Sequence, residues 1–296
     1  MGKHYQSYTV DEDGDFNLDS DLLKLLPRLN EHRLRQLLDL QNSFTRNGDY
    51  SIWLYWFDPA KYPPKQKVWT LEFVFKYVRH FISKKINDTA NDRTFPYREK
   101  IKRMEPYEGA SKRILAALDE FKIYNKNVAV VGTETPWIEA IALNLNNKVT
   151  TVEYNVPILD QELQLAYPDL KVEEYFEFEK KYEKRFDCII TFSSIEHSGL
   201  GRYGEPLDPD GDIKTMTAIR NNLKDDGVVI FGAPIGRDSV FWNAARVYGN
   251  KRLPLLFAGF KQVSYFFDEK IEDIIDVKPI PRHRLKQPVI VLQKEL

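Results

Sequence analysis

Short apolar stretches alternate with helix-patterned stretches from Asn127 onward, and this alternation constrains the fold more than any other property of the chain. Strands are predicted over 128–131, 149–152, 188–192 and 228–231, with helices over 136–145 and 213–223. Such βαβ alternation argues for a parallel sheet covered by helices on both faces. Segments 262–267 and 289–292 would add the last strands as an antiparallel pair at the sheet edge. A helix over 107–121 leads in. The expectation is a Rossmann-like α/β domain over 107–296, preceded by a helical extension over 1–106.

In that extension the first dozen residues are polar and acidic and are expected to fray. Leu22, Leu23, Leu25, Leu26, Leu29, Leu34, Leu37 and Leu38 then recur at helical spacing, with a break near Pro27. The aromatic run from Ile52 to Phe57 precedes a rigid loop at Pro63 and Pro64. Helical periodicity resumes at Trp69, through Leu71, Val74, Phe75, Val78, Phe81 and Ile82.

The predicted turn after the first strand of the sheet reads Val131-Gly132-Thr133-Glu134-Thr135-Pro136, with Thr135 expected to cap the next helix and Pro136 to occupy its first position. Only Gly132 of a Gly-x-Gly-x-x-Gly pattern is present, so the turn alone is weak evidence for a nucleotide. The next strand ends at Glu153, 21 positions beyond Gly132, where Rossmann folds place a carboxylate on ribose hydroxyls. Glu153 therefore points to an adenosyl ribose without naming the cofactor. Glu134 would repel a dinucleotide pyrophosphate but tolerate the ammonium and sulfonium of S-adenosylmethionine, so the turn favours the methyl donor over NAD. Candidate cofactor contacts are Gly132, Thr133, Glu134, Glu153, Tyr154, Ser193 and Ser194.

A polar, glycine-rich loop from Ser193 to Asp212 follows the strand over 188–192, and loops at the carboxyl ends of parallel strands carry active sites. Within it, His197 has the chemistry of a general base for a hydroxyl acceptor, and Glu196 is placed to orient it or to contact the donor. Both could equally serve the loop's own hydrogen bonds. Arg202 and Tyr203 could shape an acceptor pocket or pin the loop, and the segment 232–238 is expected to form another pocket wall. Asp208, Asp210 and Asp212 alternate like the start of a calcium loop, but the closing position is Ile219, so they read as turn and cap residues and no metal site is predicted.

The blocks Val-Gly-Thr-Glu-Thr-Pro-Trp-Ile-Glu-Ala (131–140), Thr-Val-Glu-Tyr-Asn (151–155) and Ser-Ser-Ile-Glu-His-Ser-Gly-Leu-Gly-Arg-Tyr-Gly (193–204), extended by Asp-Pro-Asp-Gly-Asp (208–212), resemble the DUF268 family of methyltransferase-like Rossmann proteins, found in nematodes and elsewhere. The resemblance runs from about Tyr107 to the C-terminus. It implies a class I methyltransferase sheet, an S-adenosylmethionine site and O-methylation of a sugar or glycan hydroxyl. The alternative is a non-catalytic binding or scaffold protein on a degenerate methyltransferase fold, suggested by the missing glycines and the leucine-rich N-terminal region.

Composition removes other classes. With 43 basic against 44 acidic residues the net charge is -1, so no basic field gathers nucleic acid. Cys188, the only cysteine, sits in an apolar run and reads as a buried thiol. The N-terminus lacks the apolar core of a signal peptide and no apolar run reaches the roughly 18 residues of a membrane span, so a cytoplasmic protein with a small-molecule or carbohydrate acceptor is expected.

Overall fold

A computed structural model describes residues 8–10, 16–18, 39–53, 67–77, 106–181, 183–242, 244–277 and 285–295. The leucine-patterned segment 22–38 lies outside them, as do His32, His80 and His283. Its centre is a seven-stranded sheet of β1 (Asn127–Val131), β2 (Lys148–Glu153), β3 (Lys171–Glu174), β4 (Phe186–Phe192), β5 (Leu223–Gly232), β6 (Phe260–Phe266) and β7 (Val289–Lys294), in the order 3-2-1-4-5-7-6. The strands β1 to β5 pair in parallel, while β7 is antiparallel to both β5 and β6. This is the expected Rossmann-like class I methyltransferase sheet, with the antiparallel pair at its edge.

Helices α1 (Ala110–Glu120), α2 (Trp137–Leu143), α3 (Gln161–Ala166), α4 (Tyr175–Lys180), α5 (Gly211–Asn222), α6 (Leu253–Leu256) and α7 (Ile271–Ile274) complete the domain. Successive strand residues point to opposite faces, so Val128, Val130, Ile190 and Ile230 pack with Ile114, Leu118, Ile138 and Leu163 of α1 to α3. Ala129, Val131, Ile189, Val229 and Phe231 pack on the other face with Phe178, Met216, Ile219 and Leu256 of α4 to α6. Each fully buried aliphatic side chain contributes about 1.5–3 kcal/mol, and continuous apolar runs are what a doubly covered strand requires. Cys188 is fully buried in the first of these layers, and burial raises its pKa, as befits a structural thiol.

Periodicity did not announce β3 or α4. Lys-Val-Glu-Glu followed by Tyr-Phe-Glu-Phe-Glu-Lys has no apolar run, because β3 is an edge strand with no fully buried residue. At the N-terminus, Tyr8–Val10 pairs with Phe16–Leu18 where fraying was expected. Ser51–Trp53 joins Ser239–Phe241 in parallel, and Val68–Trp69 joins Ile158–Leu159. Residues 71–77 are helical, and Trp69, Val74 and Tyr77 enter the first core layer. Among the described residues no helix is long and apolar enough to cross a membrane.

The chain runs from β1 outward through β2 to β3 and then returns to β4 on the other side of β1. That reversal opens a crevice beyond the carboxyl ends of β1 and β4.

Candidate active site

Gly132, directly after β1, has φ 75°, and a Cβ built there would lie 1.5 Å from Ser194 Oγ. Only glycine lets this turn approach the end of β4 so closely. The Thr133 amide donates to Glu153 Oε1, and Thr133 Oγ1 donates to the Thr135 carbonyl at 2.5 Å. The helix α2 has Pro136 at its N-cap with no side-chain cap bond. Thr135 is therefore not the expected cap and Pro136 sits one position earlier than expected; the Thr135 carbonyl instead closes the turn, accepting from Thr133 Oγ1 and from the Trp137 amide.

Two acids lie at the turn, Glu139 fully buried and Glu153 partly so. Burial pushes Glu153 up to about 8, with further elevation from the nearby carboxylates of Glu139 and Glu134. Burial likewise pushes Glu139 up to about 8; its Oε1 accepts from Thr151 Oγ1 at 2.8 Å and its Oε2 has no hydrogen-bond partner. Sequence reasoning missed Glu139 because it sits in an apolar helical run that reads as core. Glu134 is different. It is exposed, and Lys67 Nζ donates to its carbonyl at 2.8 Å and lies 3.6 Å from Oε2. Solvated and facing a cation, this carboxylate disfavours a dinucleotide pyrophosphate less than its position in the sequence implies.

On the opposite wall Ser193 holds φ 51°, an uncommon conformation for a residue with a Cβ. Its Oγ donates to Glu196 Oε1 at 2.8 Å and accepts from Gln287 Nε2 at 3.2 Å, while its amide donates to the Gly232 carbonyl at 2.8 Å. Glu196 is fully buried behind the wall, its pKa pushed up by burial to about 7. His197 Nδ1 contacts the Ala244 carbonyl, which can only accept, so Nδ1 donates there and leaves Nε2 as the ring's basic nitrogen; Arg202 Nη1 also lies 3.3 Å from Nδ1. Nε2 lies 3.7 Å from Glu196 Oε1, and the ring meets Tyr203 edge-on at 5.9 Å. Arg202 Nη1 donates to the same Ala244 carbonyl at 3.0 Å, and Glu205 accepts the Arg202 and Tyr203 amides, so Arg202 and Tyr203 are pinned and also line the cleft.

The far end of the loop is held by ions. Asp212, fully buried, pairs with Arg252 at 2.5 Å and with Arg246 at 3.6 Å and accepts from Tyr248 Oη at 3.1 Å. Burial alone would raise its pKa, but Arg246 and Arg252 hold it below the usual range. Those guanidinium groups also donate to the carbonyls of Ser198, Asp208 and Pro209. Asp208 accepts the Asp210 amide and pairs with Lys214, while Asp210 pairs with Arg46. Arg252 also lies 3.6 Å from Asp210, so Asp210 and Asp212 share it, and all three aspartates are engaged by the chain's own cations. The segment 232–238 does not form the expected wall: Ile235 bridges Tyr248 and Lys286, and Asp238 accepts amides at the start of α6.

The turn, the end of β2 and the loop enclose a cleft of about 870 Å³. Gly132, Thr133, Glu134, Glu153, Tyr154, Ser193, Ser194 and His197 all line it; Glu196 does not. Lys67, Tyr107, Tyr175 and Thr215 were not foreseen there. Tyr107, Trp137 and Phe192 pack ring against ring as one wall, and Tyr154 lies 4.3 Å from Tyr175 on another. A carboxyl at the end of β2, a side-chain-free glycine approach and aromatic walls form a donor set that fits an adenosyl group.

The family model DUF268, described as Caenorhabditis protein of unknown function, matches residues 125–294. None of the curated proteins matches the chain. Among solved structures, Burkholderia thailandensis 1,6-didemethyltoxoflavin-N1-methyltransferase, with bound 1,6-didemethyltoxoflavin and S-adenosylhomocysteine, is similar at 17% identity and TM-score 0.47, covering 75% of this chain and 90% of that one. An S-adenosylmethionine-dependent methyltransferase from Clostridium acetobutylicum is similar at 13% identity and TM-score 0.43, covering 73% of this chain and 100% of that one.

Proposed function

This chain belongs to the DUF268 family, and on that premise we propose that it is an S-adenosylmethionine-dependent methyltransferase acting on a hydroxyl of a sugar or glycan. The observation that carries the proposal is Glu153, held at the end of β2 across the turn from Gly132 and facing the cleft. There its carboxyl accepts hydrogen bonds from the ribose diol. Gly132 and Thr133 give the ligand a close backbone, Tyr154 lies beside the ribose, and Ser193 and Ser194 close the opposite side. Bound in this cleft, S-adenosylmethionine supplies a methyl carbon on a sulfonium for in-line displacement by the acceptor oxygen. His197 Nε2 takes the acceptor's proton, with the Ala244 carbonyl keeping the ring in the tautomer that leaves Nε2 basic. Glu196 Oε1, 3.7 Å from Nε2, favours the imidazolium formed once that proton is taken. The aromatic wall of Tyr107, Trp137 and Phe192 offers a stacking face for a sugar ring.

A second reading, a non-catalytic binding protein on a degenerate methyltransferase fold, draws on Glu153 Oε1 already accepting the Thr133 amide. Calorimetric titration with S-adenosylhomocysteine tests the first. Binding by the unaltered protein and its loss in Glu153→Ala are expected; no heat from the unaltered protein would end the methyl-donor reading. His197→Ala should retain that affinity yet fail to transfer label from S-adenosylmethionine to a sugar acceptor. Retained transfer removes His197 as the base.

A further inference from the structure

Lys67 lies outside residues 125–294, the span matched by the family, yet it lines the cleft. Its backbone is fixed there: Val68–Trp69 pairs in parallel with Ile158–Leu159, the Ile158 amide donates to the Lys67 carbonyl at 2.8 Å, and the Asp160 amide donates to the Trp69 carbonyl at 3.0 Å. The side chain reaches over to the turn after β1, where Nζ sits 3.6 Å from Glu134 Oε2. Both side chains are half-exposed or more, at 46% and 68%. An ion pair so solvated adds little to stability, so either member can exchange its partner for a ligand charge at small cost. Lys67 and Glu134 thus set one cation and one anion face to face at this corner of the cleft.

We propose that Lys67 and Glu134 form a clamp for the α-amino-acid end of the methyl donor, with Lys67 taking the carboxylate and Glu134 the ammonium. The inference rests on the methyltransferase reading above. An α-amino acid carries its two charges one carbon apart and in opposite sense, which complements a facing Lys and Glu; neither an uncharged ligand nor a dianionic pyrophosphate does. The N-terminal region thereby contributes to the ligand site rather than only covering the core.

The test compares two probes that share adenosine and sulfur, S-adenosylhomocysteine and 5′-methylthioadenosine, which lacks the amino-acid end. Lys67→Ala should weaken S-adenosylhomocysteine by about tenfold while changing 5′-methylthioadenosine by less than about twofold, the size expected for a partly solvated charge-assisted contact. Lys67→Arg should keep most of the affinity, and unchanged thermal melting of Lys67→Ala checks the fold. Equal weakening of both probes, or of neither, overturns the clamp and leaves the methyl-donor reading standing. Failure of the unaltered protein to bind either probe overturns both.

Discussion

The turn after β1 and the far end of the 193–212 loop hold their acids in opposite ways. Behind the turn, fully buried Glu139 and partly buried Glu153 have hydroxyl and amide donors but, among the described residues, no paired guanidinium; Glu153 feels only the solvated Lys67, and both are pushed up to about 8. At the far end of the 193–212 loop, Asp212 is just as buried but sits between Arg246 and Arg252 and stays ionised. The first arrangement opposes folding once the acids ionise and keeps acceptor oxygens beside the cleft; the second ties a loop backbone to the core. A buried carboxyl near a site thus signals ligand chemistry only after its partners are known.

The largest expected effect comes from breaking the clasp. Asp212→Asn leaves two buried guanidinium groups without their anion and should cost about 3–5 kcal/mol in denaturant unfolding. A loss below about 1 kcal/mol would mean that the loop is held by its other bonds. The turn should respond to pH in the opposite sense from the clasp. Glu139 binds its proton more tightly folded than unfolded, so its contribution is complete below about 4.5 and is lost as pH rises towards 8. Over pH 6 to 8 this one group should remove about 2 kcal/mol, and Glu139→Gln should flatten that slope whatever its own stability. An unchanged slope places the titration elsewhere. Asp212, with its depressed pKa, contributes stability that is present above the unfolded value near 3.8 and lost on acidification below it. The smallest effect concerns ligand affinity. Ribose hydroxyls favour ionised Glu153, so S-adenosylhomocysteine should tighten by up to about tenfold per pH unit as pH rises towards 8, then level off. Glu153→Gln should bind more weakly and independently of pH; a persistent slope would assign the proton to another group.

Much of this was legible in the chain. The strands β1, β4 and the second half of β5 are apolar runs because both faces of the sheet are covered, β2 carries β-branched Val and Thr, and Gly132 and Glu153 stand at a spacing set by one βαβ unit. The edge strand β3, half-exposed and charged, left no such trace. Glu139 was hidden for the reverse reason, lying among apolar neighbours in α2, and Lys67 because its partner Glu134 is 67 positions away.

The sequence by itself determined the inner strands β1, β2, β4 and β5, the edge pair and part of the cleft's lining, since periodicity and strand-end position depend on local spacing. Only the tertiary structure decided which acids are charged. It separated Glu196 from the cleft wall, paired Asp208 with Lys214 and both Asp210 and Asp212 with Arg252, and brought Lys67 to the turn. Charge state and hydrogen-bond partnership depend on burial and on groups distant in sequence, which no local pattern encodes.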